Sequence, residues 1–146
     1  MIRPYTNKDE EPLLGLIDLN IPTYFAATEK QDYLQYLRTE REDYYVTELN
    51  GKPVAAGGIN YFPEQSEARI SWDVVHPELQ GRGIGSDLVR HRLEYIRNQH
   101  PKITRVIVRT SQMVYKFYKK QGFRLLRSEP DFWAEGYDLY VMEVSL

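Results

Sequence analysis

Three glycines within five residues are the feature of this 146-residue chain with the clearest chemical use. They lie in the segment Gln80-Gly81-Arg82-Gly83-Ile84-Gly85-Ser86, directly before a run of helix-forming residues. Without side chains at these positions a ligand can approach the backbone closely. The free N–H groups of the helix's first turn then point at it, with the positive end of the helix dipole behind them. The segment predicts a cradle for an anion such as a diphosphate, or else an ordinary strand-to-helix turn.

Two common nucleotide-binding patterns do not fit this segment. A GxGxxG fingerprint counted from Gly81 needs glycine where Ser86 stands, and counted from Gly83 it needs glycine where Leu88 stands. A P-loop needs Gly-Lys followed by Ser or Thr, which the chain lacks. The ordinary turn and the anion cradle remain, and in either case Arg82 makes a charge-assisted contact or points into solvent.

The elements around this segment can be predicted from periodicity and turn signals. Asn50-Gly51 indicates a β-hairpin, because both central residues of a type I′ turn need positive φ. Residues 68–75 form a predicted strand that leads into the glycine segment, and a predicted helix follows from about 83 to 98. Strict alternation places two sets of residues on opposite faces of that strand: Ile70, Trp72 and Val74 on one, and Arg69, Ser71, Asp73 and Val75 on the other.

The complete predicted order is β-α-α-β-β-β-α-β-α-β-β. This order predicts an α/β (mixed α+β) fold, in which a mostly antiparallel sheet of six to seven strands is flanked by about four helices. An antiparallel meander comes first and a βαβ crossover lies in the middle. The length suits one domain, residues 1–146.

A second motif, Tyr118-Lys119-Lys120-Gln121-Gly122-Phe123, ends an aromatic-rich predicted helix. With this motif the chain resembles the GNAT superfamily of acyl-CoA-dependent N-acyltransferases. That family's pyrophosphate-binding pattern, Gln/Arg-x-x-Gly-x-Gly/Ala after a strand, is met by Gln80 to Gly85 and is preceded by a family-like "VVHPE". The order of elements is also the family's order, so the resemblance extends over nearly the whole chain.

The resemblance implies acetyl-CoA (coenzyme A) as the cofactor and transfer of its acetyl group to a primary amine. The amine attacks the thioester directly, and a backbone N–H near the end of the strand before the loop stabilises the oxyanion. The residues it implies for cofactor binding are Val74, Val75, Gln80, Gly81, Arg82, Gly83, Ile84, Gly85, Ser86, Ser111 and Tyr118. Ser111 departs from the family pattern, which often has Asn there; its hydroxyl can still serve the pantetheine or a bridging water.

Two catalytic residues are expected. Tyr118 matches the family's tyrosine that faces the sulfur, and its phenol can donate a proton to the leaving thiolate; the alternative is a core aromatic residue on an amphipathic helix. Asp73 is a candidate base, because an alkylamine of pKa about 10.4 must lose a proton before it attacks. Glu67 and His76 are weaker candidates, and family members also operate with ordered water and no dedicated base.

The acceptor residues are expected from the first half of the chain and from its end: Tyr24, Phe25, Trp72 and Trp133. Each of these aromatic residues alone is equally compatible with packing. Met1 to Leu79 carries 14 acidic and 7 basic residues, and Gln80 to Leu146 carries 7 acidic and 12 basic. This asymmetry, with Asp131 and Glu135 in a late loop, favours a cationic acceptor, a small amine or a lysine side chain, beside a polyanionic cofactor.

Composition narrows the remaining classes. The chain has no cysteine, which excludes disulfides, thiol nucleophiles and thiolate metal sites, and we expect no metal. No apolar run is long enough to span a membrane, so we expect a cytoplasmic monomer or homodimer without membrane or nucleic-acid partners. Two alternatives stay open: a non-catalytic acyl-CoA sensor, and a nucleic-acid-binding protein that uses the basic stretch from Arg82 to Arg127.

Overall fold

Seven strands form one sheet in the order β1-β2-β3-β4-β5-β7-β6. A computed structural model describes all 146 residues. The strands are β1 (Ile2–Pro4), β2 (Asp43–Leu49), β3 (Lys52–Phe62), β4 (Glu67–Val75), β5 (Arg105–Thr110), β6 (Arg124–Ala134) and β7 (Tyr137–Ser145). All neighbours are antiparallel except β4 and β5, which are parallel and connected by the predicted crossover. The predicted order of elements and fold class are confirmed.

Helices cover both faces of the sheet because each has one apolar side. The helices are α1 (Glu10–Asp18), α2 (Glu29–Gln35, continued as a π-helical segment Tyr36–Glu40), α3 (Ile84–Gln99) and α4 (Tyr115–Lys120). α1 and α2 pack on one face through Leu13, Ile17 and Tyr33, together with Val46 and Val74 of the sheet. α3 and α4 pack on the other face, in a larger core with residues of β3, β4 and β5. None of the helices combines the length and apolar composition needed to cross a membrane.

A bulge in β4 corrects the predicted alternation of that strand. Its pairing with β3 shifts between Ala56 and Gly58, and Trp72 has a φ of +50°, in the left-handed region that a bulky residue seldom adopts. Ile70 therefore lies in the core beneath α3, whereas Trp72 and Val74 pack against α1 and α2. The prediction that all three share one face was wrong, because one extra residue reverses the side-chain direction after it.

The same bulge coincides with the separation of β4 from β5. The parallel pairing runs from Glu67 opposite Arg105 to Ile70 opposite Val108 and then stops, although both strands continue. The ends of the two strands diverge and leave a gap in the middle of the sheet. The glycine segment follows β4 directly, and α4 begins just after β5, so both motifs lie at this gap.

Candidate active site

A cleft of about 610 Å³ occupies the gap between β4 and β5. The linker between α1 and α2 passes beside it and is held at two points. The Tyr24 hydroxyl donates to Gln80 Oε1 at 2.8 Å, and the Tyr137 hydroxyl donates to the Pro22 carbonyl at 2.6 Å. The cleft therefore has a wall that reaches from the glycine segment to the start of β7.

The glycine segment presents free backbone donors. Gly81 and Gly83 have φ of +80° and +84°, and a Cβ on either would meet only open space. The N–H groups of residues 81–86 have no acceptor within the chain. They precede α3, a helix of 16 residues, whose dipole favours negative charge at this end. The segment therefore presents unpaired donors at the positive end of a helix, which is the feature that the predicted anion cradle requires.

Gly85 serves a different purpose from the other two glycines. A Cβ there would lie 3.2 Å from the ring of Phe117, so the absent side chain lets the start of α3 pack against α4. The next residue, Ser86, accepts a hydrogen bond at 2.9 Å from Gln121 Nε2, which follows α4. The two sequence motifs are thus joined directly.

Tyr118, Asp73 and Arg92 form a chain of contacts at the inner end of the cleft. The Tyr118 hydroxyl donates to Asp73 Oδ2 at 2.5 Å. Asp73 Oδ1 lies 2.6 Å from Arg92 Nη1, an ion pair in which the arginine is completely buried. Arg92 is further held by donating from Nε to the Leu88 carbonyl and from Nη1 to the Gly58 carbonyl. Both carboxylate oxygens of Asp73 therefore contact partners within the protein.

The protonation of this chain follows from its surroundings. Burial and the neighbouring Asp73 carboxylate raise the pKa of Tyr118 well above its ordinary value, so the phenol keeps its proton. Burial alone would lower the pKa of Arg92, but the attraction of Asp73 outweighs it and the pKa is raised. Tyr118 is accordingly a neutral hydrogen-bond donor, and Arg92 a permanent cation.

Two signals in the sequence point to Arg92, which was not among the predicted site residues. On α3 it lies four residues from both Leu88 and Ile96, so a charge interrupts the buried stripe of the helix. Gly57 and Gly58 fall inside a strand, where glycine often marks a close approach. A Cβ at Gly57 would overlap Asp73 and lie 2.7 Å from Arg92 Nη1. The glycine therefore makes room for the ion pair.

A backbone donor near the end of β4 can also be located. His76 N–H donates to the Val54 carbonyl at 2.8 Å, and Val75 stands opposite Ala55. Because bonded and non-bonded pairs alternate in antiparallel strands, the Val75 N–H points away from β3 toward the gap. The Val75 carbonyl, on the same side, accepts from Asn20 Nδ2 at 3.1 Å.

The four aromatic residues expected at the acceptor end all line the cleft. Phe25 stacks on Trp72, with ring centres 6.1 Å apart. Trp133 is anchored by donation from Nε1 to the Thr110 carbonyl at 3.1 Å. The fourth, Tyr24, is the residue bonded to Gln80.

Six of the residues expected to bind the cofactor line the cleft: Val75, Gln80, Gly81, Gly85, Ser111 and Tyr118. Five others lie outside its walls: Val74, Arg82, Gly83, Ile84 and Ser86. Val74 is buried under α1 and α2, and Ile84 packs into the core beside α3. Ser111 is buried, and no group of the chain bonds its hydroxyl.

Among the predicted carboxylates and bases, only Asp73 lines the cleft. Glu67 is buried in an ion-pair network with Arg69 and Arg105, each at 2.7 Å. His76 Nδ1 accepts from the Glu78 N–H, which stabilises the turn after β4. Asp131 caps the β6–β7 turn by accepting from the Gly136 N–H, and Glu135 is exposed.

Two glutamates that sequence reasoning missed, Glu29 and Glu40, also line the cleft. Glu29 is buried and accepts from the Ala26 N–H at 2.7 Å, and burial raises its pKa above the ordinary range. As the first residue of a short helix, it carried no sequence signal beyond favourable placement at a helix start.

Comparison with known proteins assigns the family. Residues 13–123 match the model of the acetyltransferase (GNAT) family. The chain belongs to the GNAT acetyltransferase family. The predicted family is confirmed, and so is the predicted class of enzyme, an acyl-CoA-dependent N-acetyltransferase.

Individual proteins are similar to this chain in sequence or in fold. An uncharacterised N-acetyltransferase of Methanocaldococcus jannaschii is 32% identical over 98 residues, which cover 62% of this chain and 43% of that protein. The chain thus spans less than half the length of this relative. Ard1 from Thermoplasma volcanium superposes with a TM-score of 0.82 at 23% identity, covering 100% of this chain and 97% of that one. An aminoglycoside 6'-N-acetyltransferase complexed with coenzyme A gives 0.77 at 12% identity, covering 99% and 96%.

Proposed function

We propose that this GNAT protein transfers the acetyl group of acetyl-CoA to a primary amine, a small amine or a lysine side chain, by direct attack on the thioester. The observation that carries the proposal is the hydrogen bond from Tyr118 to Asp73 inside the cleft, beside a loop of free backbone donors. One solved relative in fold binds coenzyme A, which supports the same cofactor here.

The glycine segment would hold the diphosphate of the cofactor. Its N–H donors at residues 81–86 and the α3 dipole supply the attraction, and Gly81 and Gly83 leave the approach open. Across the gap, directly after β5, the Ser111 hydroxyl has no hydrogen-bond partner in the chain and is available to the cofactor's pantetheine. Acetyl-CoA, when bound, supplies an acetyl group as a thioester. A new bond forms between the acetyl carbon and the amine nitrogen, and the bond between that carbon and sulfur breaks.

Val75 and Tyr118 would each stabilise one atom that gains negative charge, the acetyl oxygen and the leaving sulfur. The Val75 N–H, directed into the gap, would donate to the acetyl oxygen as negative charge develops there. The single O–H of Tyr118, which donates to Asp73 in the free site, would turn to the sulfur as the thiolate leaves and stabilise it by a hydrogen bond. The amine's own proton would pass to water in the open cleft.

Asp73 is better suited to positioning Tyr118 than to removing the amine's proton. Its two carboxylate oxygens already contact Tyr118 and Arg92. An amine that entered the cleft would have to displace one of these two partners before it could pass a proton to Asp73. We therefore propose that Asp73 orients the Tyr118 hydroxyl and that Arg92 fixes Asp73.

An acceptor screen tests this function. Acetyl-CoA is incubated with the protein and a panel of small amines and lysine peptides, and release of free thiol is followed. Amine-dependent thiol release is expected for at least one class. Stabilisation by acetyl-CoA without thiol release from any amine would favour the non-catalytic sensor. Salt-dependent DNA binding without stabilisation by CoA would favour the nucleic-acid alternative.

A further inference from the structure

Arg109 lies at the point where the cleft opens on the acceptor side. It is the first residue of β5 after the last pair with β4, Ile70 opposite Val108. Val108 packs under α3, so Arg109, one residue later, is on the opposite face, that of α1 and α2. Its side chain lines the cleft and has no ion-pair or hydrogen-bond partner in the chain.

Two aromatic rings hold this guanidinium in place. The Cζ atom of Arg109 lies 5.1 Å from the centre of the Phe132 ring and 5.5 Å from that of the Trp133 ring. Aromatic faces attract the guanidinium charge but accept no conventional hydrogen bond from it, so its N–H donors stay free for a planar oxyanion. The two rings hold the charge in place without neutralising it.

A second arginine on the same face repeats the arrangement. Arg69 lies 4.0 Å from the centre of the Phe62 ring and also lines the cleft. Its Nε donates to Glu67 at 2.7 Å, while its two terminal nitrogens have no partner in the chain. Burial, then repulsion from Arg69 and Arg127, lowers the pKa of Arg109. Holding these cations together costs free energy that a bound anion would recover.

The nearby carboxylates do not supply that anion. Asp73 is engaged with Arg92, Glu29 accepts from a backbone N–H, and Glu129 lies 3.6 Å from Arg127. Glu40 lines the cleft from the end of the segment that follows α2, where Arg109 makes no contact with it. Glu67 occupies only Nε of Arg69, so the donors of Arg109 and the two terminal nitrogens of Arg69 face the cleft without a bonded carboxylate.

We propose that this pair of arginines binds a carboxylate belonging to the acceptor itself, so that the substrate is a small amine that also carries a carboxylate, of the amino-acid class. The inference rests on the proposed function and narrows its substrate. The acidic first half of the chain favours a cationic acceptor, a small amine or a lysine side chain. The cleft instead presents arginines from β4 and β5 on one side and Glu29 and Glu40 on its α2 side. A zwitterion matches both.

The test compares each free amino acid with its amide, in which an uncharged group replaces the carboxylate. The kcat/KM of the protein is measured with a panel of free amino acids, with the corresponding amino-acid amides and with lysine peptides, using free-thiol release. The same measurements follow for Arg109→Gln and for Arg127→Gln, a control that removes an exposed cation outside the cleft. Binding of N-acetyl amino acids and their amides to the CoA-bound protein is measured by calorimetry, as a readout independent of turnover.

The expected result is a preference of about tenfold or more for at least one free acid over its amide, lost in Arg109→Gln and kept in Arg127→Gln. Equal use of acids and amides, preference for lysine peptides, or a weaker affinity of Arg109→Gln for acetyl-CoA itself would overturn the inference. Turnover of amines without any acid preference contradicts only this inference. Arg109-dependent binding of N-acetyl amino acids without turnover would support the subsite and contradict the proposed function.

Discussion

The phenol of Tyr118 is held by a carboxylate that is itself held by a buried guanidinium. If this hydroxyl serves the leaving sulfur, Tyr118→Phe should lower kcat by roughly 10- to 100-fold, because the ring still fills its place but the proton donor is gone. The dissociation constant for acetyl-CoA should stay within about threefold, since the glycine segment is unchanged. Steady-state kinetics with calorimetry of cofactor binding measures both quantities.

Tyr115→Phe is a matched control for that variant. Tyr115 lies on the same helix and packs against Tyr140, but its hydroxyl bonds no group of the chain and it does not line the cleft. It should keep full activity. Equal rates for the wild type and Tyr118→Phe would remove the Tyr118 hydroxyl from the mechanism.

A double-mutant cycle separates the two roles proposed for Asp73. If Asp73 acts through Tyr118, Asp73→Asn should lower kcat in the wild type but add less than about threefold to Tyr118→Phe, because the two act as a unit. A base acting on the amine would instead give effects that multiply. Asp73→Asn leaves Arg92 buried without its counter-ion, at a cost of about 3 to 5 kcal/mol, so rates must be measured well below the variant's melting temperature.

At the scale of elements, the glycine segment links β4 to α3 and is the proposed binding site for the cofactor's diphosphate. Gly83→Ala should weaken acetyl-CoA binding by about tenfold or more, because φ of +84° disfavours a side chain and the loop's N–H donors would shift. Gly51→Ala is the control: Gly51 has φ of +76° in the β2–β3 turn and equally open surroundings. Gly51→Ala should lose about as much stability as Gly83→Ala but keep the wild-type affinity for acetyl-CoA. Equal cofactor affinity in both variants would refute the cradle.

How far elements can be predicted from sequence is illustrated by β4. Its position and its partner strands follow from periodicity and turn signals, because local propensity determines them. The bulge at Trp72 does not, since positive φ at a tryptophan is stabilised by packing against Phe25 and Tyr33, residues distant in sequence. The adjacent glycines in β3 were the only local sign of a close approach there.

At the scale of the whole molecule, the first strand is joined to the first helical turn by a bidentate pair. Arg3 Nη1 and Nη2 each donate to Asp9 at 2.8 Å, and this hydrogen bonding lowers the pKa of the buried Asp9 carboxyl below its ordinary value of 3.8. The stability it gives is present above that value and is lost as pH falls through the lower folded pKa.

Asp9→Asn should therefore reduce the free energy of unfolding by about 2 kcal/mol at pH 7, and the difference from the wild type should shrink below pH about 3.8. Denaturant unfolding at several pH values measures this. Asp32→Asn, at an exposed carboxylate without a cationic partner, should change the free energy by less than about 0.5 kcal/mol at any pH. A constant difference for Asp9→Asn down to pH 2 would contradict the assignment.

The site as a whole was predictable in part. The glycine segment and Tyr118 carry recognisable local patterns, and the cleft brings both together. Arg92, Arg109 and Glu29 have no such pattern, because their meaning depends on which elements meet in three dimensions. Arg109 is one of several arginines in the second half of the chain, and only the separation of β4 from β5 gives it a distinctive place.

The central claim is direct transfer of acetyl from the cofactor to an amine in this cleft. A single-turnover experiment tests it most directly: protein in excess over acetyl-CoA is mixed with a reactive amine from the screen, quenched at intervals, and assayed for free thiol, N-acetyl product and acetylated protein. Direct transfer predicts no thiol release without amine, and equal, simultaneous appearance of thiol and N-acetyl product when amine is present. Thiol release before the amine is added, or an acetylated protein that forms and decays ahead of product, would contradict it.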